Sequence, residues 1–397
     1  MAQSPFDPAL YLGDPHPLYT QLRREDPVHW DETFGCYVLL KYDDVVSVSK
    51  RADLFCSGKG VMFNSDVPVS MVTMDEPRHG QLRRLVNRGF TPRMVSLLRP
   101  RIEETVRASI DAVSPRGECD LVEDLTSPLP LVIIAEMLGI RPEDRHLFFR
   151  WSNEMIAGGS DQKDPEVMAR AAVAFSEYAA YLTEVIEDRK RAPREDLISA
   201  LVVAQNGGVL AEDRETLASD EVLMFGVLLL VAGNETTRNA LSAGLIALMQ
   251  NPEQRARLAA EPDRLLPTAV EELLRWTSPV INFRRTVTRD TELRGQKLRE
   301  GDRVVLLYPS ANRDEERFPE ADQFLVDRSP NPHIAFGVGN HFCLGSNLAR
   351  LEITLLLREL IRRLPDLQLA PGRAPEYLPS AFVRGVARAP VVFTPGG

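Results

Sequence analysis

The spacing of hydrophobic residues along the chain is mostly that of amphipathic helices. From about residue 95 to residue 218, long stretches of this kind are interrupted at proline-containing segments near residues 114, 127 and 141. A further helix begins near Ser219 or Asp220, either of which can cap it, and continues to about Met249. Its apolar run, residues 222–232, is too short to cross a bilayer. We therefore expect a long buried helix in the core.

Alternation typical of strands is confined to short runs, the clearest at residues 36–40, 288–293, 302–307 and within 369–393. These patterns predict a mainly α fold with a minor β region. The length of the chain alone permits one large domain or two or three smaller ones.

Composition narrows the class of protein. The chain has 397 residues and a net charge of −10, which argues against general nucleic-acid binding. Its four cysteines lie far apart, so neither a disulfide framework nor a zinc site is indicated and a reducing cytosol fits. The first eight residues lack the features of a signal peptide or anchor. We expect a soluble cytoplasmic protein.

Cys343 stands in a glycine-rich loop directly before an apolar-periodic segment. Gly337, Gly339 and Gly345 suit a loop with positive φ angles and let the backbone approach a large flat ligand. At the start of a helix, unpaired amides and the positive dipole end favour thiolate over thiol. A lone cysteine is more often a small buried apolar residue, so the loop alone leaves both interpretations open.

The long helix also breaks local rules near its middle. Gly233 costs helix stability and Glu235 is expensive to bury, which indicates a site. The hydroxyl of Thr236 can compete for the carbonyl of Ala232. We expect this competition to open the helix locally and leave room for dioxygen and water.

Residues 336–345 read Phe-Gly-x-Gly-x-His-x-Cys-x-Gly and resemble the haem-binding signature of the cytochrome P450 family. The resemblance implies a haem b cofactor with Cys343 as the axial ligand and Phe336 beside the iron. It further implies haem contacts from Gly337, Gly345 and Ala349. It also implies the cytochrome P450 fold over essentially the whole chain, as a single mainly α domain of residues 1–397. The smaller β-containing portion of this domain would come from about residues 1–70, 285–310 and 369–397.

Other basic residues match the positions that bind haem propionates in this family. His79 and Arg83 are four residues apart on a predicted helix and resemble the family's Asp-x-Pro-x-His-x-x-x-Arg motif; a solvated basic face is the plainer interpretation. The resemblance adds Arg285, with Arg284 as an adjacent competitor, and His341.

The segment Ala232-Gly-Asn-Glu-Thr236 resembles the family's oxygen-activation motif. Ala232 and Gly233 would then face the haem, Glu235 would be the proton-delivering acid and Thr236 the hydrogen-bonding alcohol. Here Glu stands where several bacterial members have Asp.

Glu272 and Arg275 resemble the family's structural Glu-x-x-Arg pair, although such a pair alone is usually a trivial helix-surface contact. The resemblance gives them a structural role behind the haem. Arg328 or His333 is the candidate third partner.

The resemblance implies a haem-thiolate monooxygenase that inserts one oxygen atom from O2 into a lipophilic substrate, by hydroxylation or epoxidation. Some stretches look like actinobacterial sterol hydroxylases, which favours a steroid or sterol-like substrate over a terpenoid, fatty acid or macrolide. A peroxide-driven peroxygenase and a gas-binding haem protein are the other hypotheses. The candidate pocket residues are Val61, Met62, Val67, Val69, Met71, Val72, Leu229, Val280, Ile281, Phe283, Phe382 and Val383.

The chain carries no Rossmann-type fingerprint, so electrons must come from a separate protein. We expect a ferredoxin or flavodoxin with an NAD(P)H-dependent reductase, no nucleic-acid or membrane partner, and a monomer. A basic patch for an acidic electron donor is predicted on the helices behind the haem, where the alternative is simple solvation, at Arg84, Arg88, Arg350, Arg358, Arg362 and Arg363.

Overall fold

The computed structural model describes residues 3–160, 164–194, 196–205 and 219–396. Most of them are helical, so the predicted mainly α fold with a minor β region is confirmed. Within these ranges the α-helices are α1 (His16–Glu25), α2 (Tyr42–Lys50), α3 (Arg78–Val86), α4 (Pro92–Leu97), α5 (Arg99–Val113), α6 (Pro128–Met137), α7 (Arg145–Ser160), α8 (Pro165–Arg191), α9 (Leu197–Gln205), α10 (Ser219–Gln250), α11 (Pro252–Ala260), α12 (Pro262–Thr277), α13 (Tyr308–Ala311) and α14 (Ser346–Arg363).

The strands found in the described part of the chain are short. They are β1 (Val28–Asp31), β2 (Cys36–Leu39), β3 (Phe55–Cys56), β4 (Glu118–Asp120), β5 (Asn282–Val287), β6 (Thr291–Leu293), β7 (Gln296–Leu298), β8 (Arg303–Leu307), β9 (Gln368–Leu369), β10 (Glu376–Tyr377), β11 (Val386–Arg388) and β12 (Pro390–Val392). The largest sheet has the order β1-β2-β8-β5-β3. In this sheet β2 and β8 are parallel to each other, and the other neighbouring strands are antiparallel. This sheet joins the N-terminal segment to residues 282–307.

Proline determines where many helices begin. Five of the helices named above start at proline, because its fixed φ suits the first helical position and its missing N–H is not needed there. One detail differs from the predictions. Strand β4 lies inside the stretch expected to be helical and pairs with β12 near the C-terminus.

Helix α10 is the long core helix that the sequence predicts. A Cβ at Gly233 would lie 2.6 Å from Ile134 Cδ1 of α6, and one at Gly244 would lie 2.2 Å from Leu273 Cγ of α12. These glycines therefore let two helices pack closely on α10. The helix is continuous through Thr236, and the expected bond from the Thr236 hydroxyl to the Ala232 carbonyl is present at 2.8 Å. Across the described ranges, no helix combines the length and the apolar character that crossing a membrane requires.

The Glu272–Arg275 pair lies at the centre of the wall that supports the cysteine loop. Both side chains are fully buried, and two hydrogen bonds of 2.7 and 2.8 Å join them. Arg275 also donates to the carbonyls of Asn312, Ala321 and Gln323. Arg328 is the third partner, with its Nε 3.0 Å from Glu272 Oε2, whereas His333 binds Glu271 instead.

Candidate active site

A large cavity lies between α10 and the loop that precedes α14. Its empty volume is about 1510 Å³ including its open mouth, against about 330 and 240 Å³ for two other cavities of the described chain. The thiol end is lined by Phe336, Gly337, Cys343, Gly345 and Ala349, as predicted for a haem-contacting loop. The cavity therefore brings the predicted cysteine loop and the long helix to one site.

The loop is shaped to present Cys343 to this cavity. Gly337 and Gly339 have φ values of +70° and +82°, and the Cys343 amide donates to the Phe336 carbonyl at 2.8 Å. Burial raises the pKa of the Cys343 thiol, while hydrogen bonds from the Gly345 and Ser346 amides and the charge of Arg83 oppose that rise. Amide donors at a helix start favour a thiolate ligand to a metal.

Four basic side chains converge on one end of the cavity: His79, Arg83, Arg285 and His341 all line it. The two imidazole rings are 4.1 Å apart. Burial and the nearby charge of Arg285 lower the pKa of His341 to about 3, and burial lowers the pKa of His79, Arg83 and Arg285. Such a cluster of buried basic side chains suits a ligand that carries carboxylates.

The two arginines among these four are not neutralised by the described chain. Arg83 donates to the Phe342 carbonyl at 2.5 Å and Arg285 to the Arg284 carbonyl at 2.8 Å, and neither forms an ion pair within the described residues. They fit the two propionates of a haem, whose iron would face Cys343. The buried donors, the cysteine loop and the cavity therefore all fit this cofactor.

Arg284 points away from the cavity, so Arg285 is the one of these two arginines that can contact a ligand there. Its guanidinium pairs with Asp66 at 2.6 Å and donates to the carbonyls of Lys59 and Gly60. Side chains alternate along a strand, so Phe283 and Arg285 of β5 share the cavity face and Arg284 takes the other.

On α10 the predicted acid and alcohol take different positions. Thr236 lines the cavity and donates to the Ala232 carbonyl at 2.8 Å. Glu235 does not line it: this side chain is buried, and its Oε1 accepts from Arg238 at 2.6 Å and Asn239 at 2.7 Å. Its Oε2 has no partner in the described structure. The predicted residues of α10 that line the cavity are Leu229, Ala232, Gly233 and Thr236.

The predicted apolar pocket is partly corrected. Met71, Val72, Leu229, Val280 and Phe283 line the cavity, whereas the following predicted residues do not: Val61, Met62, Val67, Val69, Ile281, Phe382 and Val383.

Four of these seven residues have a clear structural reason for lying outside the cavity lining. Ile281 precedes β5, and its fully buried side chain packs in a separate cluster behind the sheet. Phe382 lies behind Phe283, with ring centroids 5.7 Å apart, and Val383 pairs with Val280. Val67 is 65% exposed. Val67 therefore points to solvent, whereas Ile281, Phe382 and Val383 form a layer behind the lining.

Several lining residues were missed by the sequence analysis. On α10, Phe225, Leu228, Thr237 and Ala240 join the predicted residues on one helical stripe, and helical spacing from Leu229 and Thr236 indicates this stripe. Glu352 of α14 also lines the cavity and lies at helical spacing from Gly345, whereas other lining residues come from distant elements: Phe90, Ile134, Leu274 and Tyr308. Contacts of this second kind carry no local sequence signal.

Comparison with known families agrees with this geometry. The family model "Cytochrome P450" matches residues 30–390. The chain belongs to the cytochrome P450 family. It is a cytochrome P450 monooxygenase, and the family implies a haem-thiolate cofactor, O2 and a redox partner.

Individual relatives are similar over nearly the whole chain. A steroid C26-monooxygenase of Mycolicibacterium smegmatis is 39% identical over 96% of this chain and 94% of its own length. A methyl-branched lipid omega-hydroxylase of Mycobacterium bovis is 42% identical over 95% and 90%. A Bacillus megaterium cytochrome P450 in complex with testosterone has a TM-score of 0.87 and 34% identity over 96% and 99% of the two chains. These relatives support oxidation of a lipophilic substrate.

Proposed function

We propose that this monooxygenase hydroxylates a steroid or sterol-like molecule, and that it works as one haem b domain over residues 1–397. The main support is the cavity wall away from the basic cluster, which is made of apolar side chains of α10, α6, β5 and the turn Ser70–Thr73. A wall without charge suits a ligand whose body is hydrocarbon. The steroid-oxidising and steroid-binding relatives support the same class.

The residues of the cavity have distinct proposed roles. Cys343 would ligate the haem iron, and the basic cluster of His79, Arg83, Arg285 and His341 would bind the propionates. The bound haem would supply the activation of O2, in the overall reaction RH + O2 + 2 e⁻ + 2 H⁺ → ROH + H2O. The apolar wall would hold the substrate and exclude bulk water.

Helix α10 is also proposed to supply protons to the reaction. The Thr236 hydroxyl faces the cavity, and Glu235 lies beside it with one carboxylate oxygen held by Arg238 and Asn239. The other oxygen has no partner, so it can exchange a proton after rotation of the side chain. We therefore keep Glu235 and Thr236 as the proton-handling pair. Their presence favours the use of O2 over a peroxide-driven reaction.

The electron donor is proposed to be a ferredoxin or flavodoxin, served by an NAD(P)H-dependent reductase. Three arginines of the predicted basic patch are already in ion pairs: Arg350 with Glu271, Arg362 with Glu359 and Arg363 with Asp111. Arg358 is exposed, and the side chain of Arg88 lies outside the described residues. The structure thus leaves a weaker patch than the sequence suggests. Charge reversal of Arg358 should slow reduction by an acidic ferredoxin, and an unchanged rate would remove Arg358 from the docking surface.

A methyl-branched lipid is the second candidate substrate, because a relative that oxidises one is 42% identical. Binding of a steroid panel, read as the low-to-high-spin shift of the Soret band, tests the proposal against branched and straight-chain fatty acids, a terpenoid and a macrolide. We expect the tightest shift and a hydroxylated product with a steroid, with electrons from a reductase system. Tighter binding of a fatty acid than of any steroid would make a fatty acid the proposed substrate instead. Faster turnover with peroxide than with the reductase system would favour a peroxygenase.

The four cysteines are free, which supports the proposed cytoplasmic location.

A further inference from the structure

Ser57 is a buried serine behind the basic cluster, and none of the roles above uses it. It directly follows β3, whose Cys56 pairs with Thr286 of β5, next to Arg285. Ser57 is 1% exposed, and its Oγ lies 3.2 Å from Nε2 of His341. Within the described residues this is the one hydrogen bond of the Ser57 hydroxyl. The serine therefore acts on the cavity through the imidazole of His341.

The backbone around Ser57 is held by one carboxylate, that of Asp75. Its two oxygens accept from the Ser57 amide at 2.7 Å and from the Gly58 amide at 2.9 Å. A Cβ at Gly58 would lie 2.6 Å from Asp75 Oδ2, so glycine leaves the room that this approach needs. The Asp75 carbonyl also accepts from the His79 amide at 2.9 Å, at the start of α3. Ser57 is thus fixed to the helix that carries His79 and Arg83.

The bond to Ser57 leaves Nδ1 of His341 as the ring nitrogen that a ligand can reach. His341 lines the cavity, and the described chain offers no hydrogen bond to its Nδ1. A propionate carboxylate only accepts hydrogen bonds, so the nitrogen that faces it must carry a proton. In a neutral imidazole one nitrogen donates and the other accepts, and the hydrogen bond made by one decides which. When the Ser57 hydroxyl donates to Nε2, the proton of the neutral ring is on Nδ1.

We propose that Ser57 is a positioning residue for haem binding, whose hydroxyl holds Nε2 of His341 so that the Nδ1–H group faces a propionate. In an imidazolium ring both nitrogens carry protons, so Nδ1 donates to the propionate in either charge state. Asp75 holds the loop in which Ser57 lies. This inference rests on the proposed function, because it needs the haem b cofactor, but it is independent of the substrate. A protein that fails to bind haem would overturn both, whereas the following experiments can overturn the inference alone.

Nitrogen NMR of the haem-loaded protein tests the proposal without turnover. The reduced, carbon monoxide-bound form is diamagnetic, and labelling with 15N-histidine gives signals from six residues, among which His341→Phe identifies that of His341. We expect a persistent Nδ1 proton on His341 in the wild type and in Ser57→Thr, which keeps the hydroxyl. In Ser57→Ala this proton should be absent or exchange faster with solvent, because the ring is no longer held.

Ser114→Ala is the matched control for this measurement. Ser114 is also a buried serine, but its hydroxyl donates to the Ile110 carbonyl at 2.8 Å outside the cavity. Its replacement should leave the His341 signal unchanged. A wild-type His341 without a proton on Nδ1, or an equally persistent Nδ1 proton in Ser57→Ala, would overturn the proposal.

Haem transfer to an excess of an acceptor protein separates positioning from simple packing. Ser57→Ala should release haem about two- to tenfold faster, the range expected for one hydrogen bond, and Ser57→Thr should be close to the wild type. His341→Phe removes the group through which Ser57 acts, so adding Ser57→Ala to it should cause no further loss. Losses that multiply in the double variant would show that the serine only fills space, which would overturn the proposal.

Discussion

Glu235 and Thr236 are consecutive residues of α10, yet only Thr236 faces the cavity. Its hydroxyl donates to the Ala232 carbonyl at 2.8 Å, while Glu235 is held by Arg238 and Asn239 to one side. Asn239 also accepts from the Val386 amide at 3.2 Å. The acid is therefore held behind the alcohol and outside the cavity lining, and in the proposed function a proton would pass from one to the other by side-chain rotation or through water.

Replacing Thr236 by alanine should lower product formation by about 10²-fold, the lower end of what a positioned proton-transfer group contributes. Electron consumption should fall much less, because the reduced oxygen then escapes without oxidising the substrate. Measuring product and NAD(P)H consumption together checks this. Thr354→Ala is the control, since Thr354 makes the same kind of helix bond, 2.7 Å to the Arg350 carbonyl, outside the cavity. An equal loss in both variants would contradict the role of Thr236.

The buried Glu272–Arg275 pair should be essential for stability. Glu272→Gln leaves the Arg275 and Arg328 charges without a carboxylate, which should cost about 3–5 kcal/mol of unfolding free energy. Denaturant unfolding measures this change. The matched control is Glu261→Gln, which breaks the exposed pair with Arg264 and should cost about 0–1 kcal/mol. Similar losses in the two variants would show that burial of the pair does not matter.

Arg285 should contribute to haem retention and Arg289 should not. Arg285→Leu removes a charge-assisted hydrogen bond to a propionate, worth about 1.5–3 kcal/mol, so haem should bind roughly 10- to 100-fold more weakly. Arg289 is exposed and pairs with Asp53 beyond the end of β5, which makes Arg289→Leu the control. Haem transfer to an excess of an acceptor protein gives the comparison. Equal transfer rates from wild type and Arg285→Leu would exclude the propionate role.

Glu271 should make stability depend on acid pH. Burial disfavours its ionised form, but hydrogen bonds and charge from Arg350 and His333 outweigh this and lower the pKa of Glu271 to about 2. The folded protein thus binds the Glu271 proton less tightly than the unfolded chain. The resulting stability is fully present above about pH 4.5 and is lost as the pH falls towards 2. Glu271→Gln should therefore cost up to about 3 kcal/mol at pH 7 and progressively less below pH 4.5. Unfolding free energies measured at several pH values check this, and a deficit that is constant with pH would contradict it.

The sequence predicts those features that a single segment encodes. Helix α10, the glycine loop before Cys343 and the buried Glu272 and Arg275 lie where their motifs place them. Alternation of side chains along β5 indicates that Arg285, and not Arg284, shares the cavity face with Phe283. Helical spacing from Gly345 likewise indicates that Glu352 lines the cavity.

The side-chain positions that could not be predicted from the sequence are those that depend on how separate segments pack together. Ile281, Phe382 and Val383 are apolar residues near the site, yet the stacking of the C-terminal turn on β5 puts them behind the lining. The direction of Glu235 is decided by Arg238, Asn239 and a strand 147 residues further on. Ion pairs such as Arg363–Asp111 reduce the basic patch that the arginines alone suggest.

The central claim is that Cys343 binds a haem iron as a thiolate. The carbon monoxide difference spectrum of the dithionite-reduced, haem-loaded protein tests it directly, with Cys343→Ala and the matched control Cys56→Ala, whose cysteine does not line the cavity. We predict the long-wavelength Soret peak of thiolate ligation in the wild type and in Cys56→Ala, and its loss in Cys343→Ala. A short-wavelength peak in well-folded wild-type protein, or the long-wavelength peak in Cys343→Ala, would contradict the proposed site.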